Sequence, residues 1–124
     1  MKITTFDPMI LTSKPNDVIS VFEALGFEKT HTPFVSTGKA DVVDTRMENP
    51  DHFHVDVSDI QQLPQDQIFI RMNVDNYDEA YRILTEHGFK NTRGDGSVNT
   101  SSSKAATMVS PSGFSIALVQ HIKK

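Results

Sequence analysis

Two segments of the chain place side chains that could do chemistry at alternate positions. The segment HFHVDV carries His52, His54 and Asp56, and the segment IFIRMNV carries Arg71 and Asn73. Alternation with a period of two is typical of a β-strand, so the polar residues of each segment share one face. Histidine can transfer protons near neutral pH, and the planar fork of arginine suits carboxylate and phosphate groups. The spacing therefore indicates two strand faces that could bind or act on a small polar molecule.

The same residues allow structural interpretations, and the sequence leaves both kinds open. Arg71 could form an internal ion pair with Asp56 or Asp7, or it could hold an anionic ligand. His54 could be a partly buried, hydrogen-bonded side chain rather than a proton-transfer group. His52 and His54 have a spacing that could suit a metal ion, but no third ligand is evident beside them.

Two helices are predicted to position these strands. The first has apolar residues at helical spacing, namely Val18, Val21, Phe22 and Leu25. The second has Tyr77, Ala80, Tyr81 and Leu84 on its apolar face. Gly26 and Gly88 are predicted to end the two helices, and a first strand is predicted over residues 5–12.

The chain repeats itself with an offset of about half its length. The stretch EALGFEK reappears as TEHGFKN, which aligns Gly26 with Gly88 at an offset of 62 (88 − 26). Toward the end of each half an offset of 61 fits better. It aligns Met47 with Met108, Pro50 with Pro111, Phe53 with Phe114, Val55 with Ile116 and Val57 with Leu118. We interpret the chain as a single domain of two modules, residues 1–60 and 65–124, each ordered strand, helix, strand, strand, strand. A polar linker is predicted at about residues 58–66.

Composition restricts the class of protein. The chain has 124 residues, 37% of them apolar and 23% charged, with a net charge of −4 and no cysteine. These values suit a globular protein and argue against a nucleic-acid or anionic-membrane partner. The absence of cysteine excludes disulfides, thiolate metal sites and a cysteine nucleophile. We expect no membrane span, no signal peptide and a cytoplasmic location.

Two βαβββ modules of this kind resemble the vicinal oxygen chelate superfamily, which includes glyoxalase I, bleomycin-resistance proteins and extradiol dioxygenases. The segments NVDNYDEAYRILTEHGFK and MVSPSGFSIALVQ carry the resemblance most strongly. It implies an α+β fold in which the strands of two tandem βαβββ modules curve into a cup, with the helices outside. It also implies that the ligand lies in the cup.

In the resembled superfamily, a divalent metal typically takes one ligand from the first strand and one from the last strand of each module. By this resemblance the four positions fall on Asp7, Asp56, Phe69 and Ala117. Phe and Ala have no ligating atom, so the resemblance implies no metal and no cofactor here. It favours the bleomycin-resistance branch, which keeps the same cup without a metal.

The resemblance and the alternation together predict a ligand site on the inward faces of the strands. Its predicted residues are Asp7, His54, Asp56, Phe69, Arg71, Asn73, Ser115 and Ala117. The opposite faces are predicted to pack against the helices through Phe53, Val55, Val57, Ile68, Ile70, Met72, Val74, Phe114, Ile116 and Leu118.

Three functional hypotheses follow. The first is metal-independent binding of a small molecule in the cup. The second is a superfamily enzyme of lyase or dioxygenase type, metal-free or with an atypical site built from Asp7, His54 and Asp56. The third is a regulatory or interaction dimer with a vestigial cup. By analogy with the superfamily, we expect a homodimer. The sequence names neither the ligand nor any remaining catalysis.

Overall fold

The computed structural model describes residues 1–30, 34–35, 43–92, 98–99 and 103–121. The first module contains β1 (Ile3–Thr12), α1 (Pro15–Ala24), β2 (Glu28–Lys29), β3 (Phe34–Val35), β4 (Val43–Glu48) and β5 (His54–Asp59). The second contains β6 (Gln67–Val74), α2 (Tyr77–Glu86), β7 (Lys90–Asn91), β8 (Val98–Asn99), β9 (Ser103–Val109) and β10 (Ser115–His121). In each module two short strands pair with the same long strand, so together they fill one strand position. The α+β class and the two βαβββ modules are confirmed.

The chain divides into two compact units whose boundaries fall inside β1 and β6. Residues Asp7–Ile68 form one unit, called here the amino-terminal unit. Residues Met1–Phe6 and Phe69–Lys124 form the other, called here the carboxy-terminal unit. The first residues of β1 are therefore grouped with the second module. Lys2, the residue before β1, also contacts the second module: its backbone amide donates to Asp75 Oδ1 at 2.6 Å, and its carbonyl accepts from the Asp75 amide at 3.0 Å.

The two units have the same strand pairing. In the amino-terminal unit, β5 lies parallel to β1 and antiparallel to β4, and β2 and β3 pair with β4. In the carboxy-terminal unit, β10 lies parallel to β6 and antiparallel to β9, and β7 and β8 pair with β9. Met47 opposite Val55 corresponds to Met108 opposite Ile116, which confirms the offset of 61 in the last strands. Met9 beside Asp56 corresponds to Arg71 beside Ala117, which confirms the offset of 62 in the first strands.

Each unit has its own apolar core between its helix and one face of its strands. The amino-terminal core contains Ile19, Met47, Val55 and Val57, with Ile10, Val18, Phe22 and Phe27 packed against it. The carboxy-terminal core contains Met72, Val74, Tyr77, Ala80, Ala106, Met108, Ile116 and Leu118. The alternation therefore assigned the helix-covered face correctly for the central residues of β5, β6 and β10.

Three residues predicted to face a helix are exposed instead. Phe53 is 66% exposed, Phe114 is 48% exposed and Ile68 is 68% exposed. Phe53 and Phe114 each precede the first residue of their strand, and Ile68 is the second residue of β6. Alternation predicts which side of a strand a residue occupies, but it does not predict how far along the strand the helix extends.

The helices are short and end at glycine, as predicted. Gly26 and Gly88 have φ angles of 104° and 91°, a region that glycine adopts without the steric cost that other residues meet. In α2 the side chain of Asn76 accepts a hydrogen bond from the amide of Glu79 at 3.1 Å, which caps the first turn. Neither helix in the described part of the chain has the length and apolar character needed to cross a membrane.

Candidate functional site

The amino-terminal unit has a polar strand face opposite its core. Strand register places Met9, Asp56 and Arg46 side by side on this face, and it places Leu11, Ser58 and Asp44 in the next row. We call this surface the amino-terminal polar face; its residues are Asp7, Met9, Leu11, Asp44, Arg46, Asp56 and Ser58. Asp56 and Arg46 lie directly opposite each other on paired strands, where opposite charges attract. The row of Met9, Asp56 and Arg46 is therefore balanced in charge.

Two of the three acidic side chains of this face are deeply buried. Asp56 is 1% exposed, and Asp7 is also buried. Both make interactions within the protein, as do Arg46 and Asp44. The hydroxyl of Ser58, itself buried, donates to Asp44 Oδ1 at 2.6 Å. Burial of a charge without compensation would cost several kcal/mol, so interactions of this kind are what allow acids to be buried here.

The carboxy-terminal unit has a corresponding face, with different chemistry. Register places Arg71, Ala117 and Thr107 in one row and Asn73, Val119 and Ala105 in the next. We call this surface the carboxy-terminal polar face; its residues are Phe69, Arg71, Asn73, Ala105, Thr107, Ser115, Ala117 and Val119. It carries one cationic side chain and no acid among these eight, whereas three aspartates lie on the amino-terminal polar face.

Three polar residues of the carboxy-terminal polar face are buried, namely Arg71, Asn73 and Ser115. Arg71 makes interactions within the protein. Asn73 differs, because its buried oxygen Oδ1 has no hydrogen-bond partner among the residues that the structure describes. Phe69 and Ala117 are only partly buried, so they leave apolar surface beside these polar groups. An arginine, an amide and an aromatic ring on one strand face can together bind a flat polar molecule.

His54 lies at the exposed end of the amino-terminal polar face. It pairs in register with Glu48, and it is exposed rather than partly buried. His52 is exposed as well, and its Nδ1 lies 2.6 Å from Glu48 Oε2. The hydrogen bond from His52 lowers the pKa of Glu48; desolvation opposes this effect, and the charges of His54 and His52 lower the pKa further. The interpretation of His54 as a partly buried residue is therefore wrong, because β5 begins at His54 and its first side chain reaches solvent.

Four polar residues of these faces were not predicted from the sequence. Asp44, Arg46 and Ser58 belong to the amino-terminal polar face, and Thr107 belongs to the carboxy-terminal one. Arg46 alternates with Asp44 and Glu48 in the segment VDTRME, so period-two alternation could have placed it opposite Met47. Ser58 follows Asp56 by two residues on the same face, although a linker was predicted from about residue 58.

Comparison with known proteins supports the fold. The sequence matches no family profile and no curated protein. Among solved structures, methylmalonyl-CoA epimerase from Mycobacterium tuberculosis has a TM-score of 0.70 at 14% identity, with 95% of this chain and 88% of that chain covered. A glyoxalase/bleomycin resistance protein/dioxygenase superfamily member from Vibrio splendidus has a TM-score of 0.63 at 15% identity, with 96% and 99% covered. Glyoxalase I from Zea mays has a TM-score of 0.69 at 13% identity, with 98% of this chain covered.

The chain has the vicinal oxygen chelate fold. It spans 44% of the length of the maize glyoxalase I chain, whereas it spans nearly all of the Vibrio protein. At these identities the likeness concerns the fold, and the function has to be argued from this chain's own residues.

The four metal-ligand positions that the superfamily resemblance implies do not fit a divalent metal ion in this chain. Both positions contributed by the second module hold side chains without a donor atom, Phe69 and Ala117. In the described ranges, no group of three or more His, Cys, Asp or Glu side chains lies close enough together to hold a metal ion. The two remaining acids, Asp7 and Asp56, are buried and already interact within the protein.

Proposed function

We propose that this protein binds a small anionic or aromatic molecule without a metal ion, using the residues predicted from the sequence. The proposed contacts are Asp7, His54, Asp56, Phe69, Arg71, Asn73, Ser115 and Ala117. The observation that carries the proposal is the concentration of buried polar side chains on strand faces turned away from both cores. A face with only a structural role would be stabilised by apolar packing, since buried ion pairs rarely contribute more than apolar residues of the same volume.

The chemistry of the carboxy-terminal polar face supports an anionic group on the ligand. Arg71 is 5% exposed and carries the charge of this face. Its present interactions within the protein can be exchanged for a ligand carboxylate or phosphate, because a guanidinium forms two parallel hydrogen bonds with either group. Phe69, two residues earlier on the same face, adds apolar surface beside the arginine.

The test is a screen of melting-temperature shifts with anionic and aromatic metabolites on the wild-type protein and on Arg71→Ala in parallel. A molecule that binds only the folded state must raise the melting temperature. We expect a subset of anionic compounds to stabilise the wild type and to have less effect on the variant. Equal stabilisation of both proteins would remove Arg71 from the site, and a screen without any shift would contradict the binding function.

We further propose that the protein is a cytoplasmic homodimer. Exposed apolar residues support self-association, and the two units expose the equivalent residues Phe53 and Phe114. Light scattering coupled to size exclusion should give twice the chain mass. Phe53→Ser should shift the equilibrium toward the monomer, and a wild-type protein that is monomeric at high concentration would contradict the proposal.

A further inference from the structure

The side-chain oxygen of Asn73 can accept a hydrogen bond that the described part of the protein does not supply. Asn73 is 5% exposed, and its Oδ1 accepts no hydrogen bond from the described residues. On the β10 side of β6, Val119 lies at the same level as Asn73, and Ala105 lies beyond it on β9. Neither side chain can donate a hydrogen bond. A carbonyl oxygen that is buried without a hydrogen-bond partner loses its water without a replacement, which destabilises the folded protein.

The position of Asn73 relative to Arg71 defines the geometry of such a ligand. The two residues are separated by one residue on β6, so both side chains lie on the carboxy-terminal polar face, about 6–7 Å apart along the strand. Phe69 precedes them by the same interval on the same face. The three side chains therefore present, in order, an aromatic surface, a cationic fork and an unoccupied hydrogen-bond acceptor.

We propose that Asn73 selects a ligand with an N–H or O–H donor located about 6–7 Å from its anionic group. This inference rests on the proposed binding function and names the class of ligand for the same site. The ligand is a flat anion of the hydroxy- or amino-substituted aromatic carboxylate type. Its carboxylate contacts Arg71, its donor contacts Asn73 Oδ1, and its ring lies against the alkyl surface of Ala117 and Val119. An anion without the donor leaves Oδ1 unpaired and binds less tightly.

A first experiment needs no ligand and uses two matched variants. Asn73→Leu keeps the branching of the side chain and removes the unpaired oxygen, so we expect the melting temperature of the ligand-free protein to rise by about 3 °C or more. Asn91 is the control, because it is also a buried strand residue of the carboxy-terminal unit but its Nδ2 donates to the Tyr81 hydroxyl at 3.4 Å. Asn91 lies on the core face opposite Met108, and Asn91→Leu should lower the melting temperature. Equal destabilisation by both substitutions would show that Asn73 is a structural residue and would overturn the proposal.

A second experiment uses two pairs of probes in which methylation removes the donor. Para-hydroxybenzoate and para-aminobenzoate carry it, whereas para-methoxybenzoate and para-dimethylaminobenzoate do not. We expect the donor compounds to stabilise the wild type more than their methylated partners. In Asn73→Leu this preference should disappear while any remaining stabilisation by the carboxylate persists.

The outcomes separate this inference from the binding function on which it rests. Equal stabilisation by donor and methylated probes, or a preference that survives in Asn73→Leu, overturns the role of Asn73 while binding itself stands. Stabilisation by other anions but by neither donor probe overturns the assigned class of ligand. Absence of stabilisation by every compound in the wider screen is the separate result that contradicts the binding function.

Discussion

His52 and Gly113 occupy the same left-handed position in the equivalent turns of the two modules, with φ angles of 68° and 110°. In the first turn, Asn49 Oδ1 accepts hydrogen bonds from the amides of Asp51 and Phe53. In the second turn, Ser110 Oγ accepts from the amides of Gly113 and Phe114. The second module therefore has glycine at this position, and glycine adopts a positive φ without a steric penalty. The first module has a histidine there, in a conformation that is sterically unfavourable for it.

Relief of this strain should be measurable with two variants at one position. His52→Gly and His52→Ala both remove the contact with Glu48, and only glycine adopts a positive φ without a steric penalty. We expect His52→Gly to be more stable than His52→Ala by about 1 kcal/mol in urea unfolding. At an ordinary turn position the order would be reversed, because glycine gains more entropy in the unfolded chain. An alanine variant as stable as the glycine variant would contradict the left-handed conformation.

The contact between Glu48 and His52 should make the free energy of unfolding depend on pH in the acidic range. The hydrogen bond from His52 lowers the pKa of Glu48 below its ordinary value of 4.5. A carboxyl group whose pKa is lower in the folded state stabilises the fold above its unfolded pKa, and this stabilisation is lost as the pH falls through the folded value. We therefore expect Glu48→Gln to be less stable than the wild type at pH 6–7 and to approach it below about pH 4. Urea midpoints measured across this range would test the sign, and a gap that widens in acid would contradict it.

The glycines that end the two helices should tolerate substitution unequally. A Cβ added to Gly26 would meet no atom within 4 Å, whereas at Gly88 it would lie 2.7 Å from Cγ of Pro111. Both positions have positive φ, so Gly26→Ala should cost about 1–2 kcal/mol from the backbone alone. Gly88→Ala should cost about 1–3 kcal/mol more, because the proline ring must move.

The double variant Gly88→Ala with Pro111→Ala isolates the steric component. It should recover most of the difference between the two glycine positions when measured against Pro111→Ala alone. Equal losses for Gly26→Ala and Gly88→Ala would show that Pro111 moves freely and that the close approach has no energetic weight.

Arg71 should be required for stability in the absence of ligand. It is buried and interacts within the protein, so Arg71→Ala leaves its partners with uncompensated polarity. We expect a loss on the order of 3–5 kcal/mol in the free energy of unfolding. The exposed Arg82, which pairs with Glu86 at 3.3 Å, is the control, and Arg82→Ala should cost less than about 1 kcal/mol. A small loss at Arg71 would mean that its internal interactions are weak and that its charge is kept for the ligand.

The purified protein should hold no stoichiometric divalent metal at the position expected from the fold. Phe69 and Ala117 provide no donor atoms, and two acids rarely hold a catalytic ion. Elemental analysis after mild purification should find well below one zinc, nickel, iron or manganese ion per chain. About one ion per chain that is lost in Asp56→Ala would overturn this expectation and favour an enzyme with an atypical site.

The order of the strands and helices was predictable because the same sequence pattern occurs in both halves of the chain. Gly26 and Gly88 marked the helix ends, and the pairs Met47 with Met108 and Val55 with Ile116 marked the register. Faces of strands were also predictable, since alternation separates Asp56 from Val55 and Arg71 from Met72.

The sequence did not predict where burial ends along each strand. Phe53 and Phe114 have the alternation of core residues, yet both are largely exposed. The sequence also did not distinguish Asn73 from Asn91. The side-chain oxygen of Asn73 has no hydrogen-bond partner in the described residues, whereas the side-chain NH2 of Asn91 donates to Tyr81. Both are asparagines on strands, and only the neighbours brought from distant parts of the chain distinguish them.

The hydrogen bonds between Lys2 and Asp75 imply an order of events during synthesis. The partners are 73 residues apart, so the first residues of β1 must wait until more than half of the chain has left the ribosome. A truncated chain that stops before β6 would leave these residues without their native partner strand. Such contacts between remote residues slow folding, because a long loop must close before they contribute. We expect the nascent first half to expose its leading strand, and the full-length chain to gain protection there only when its second half is complete.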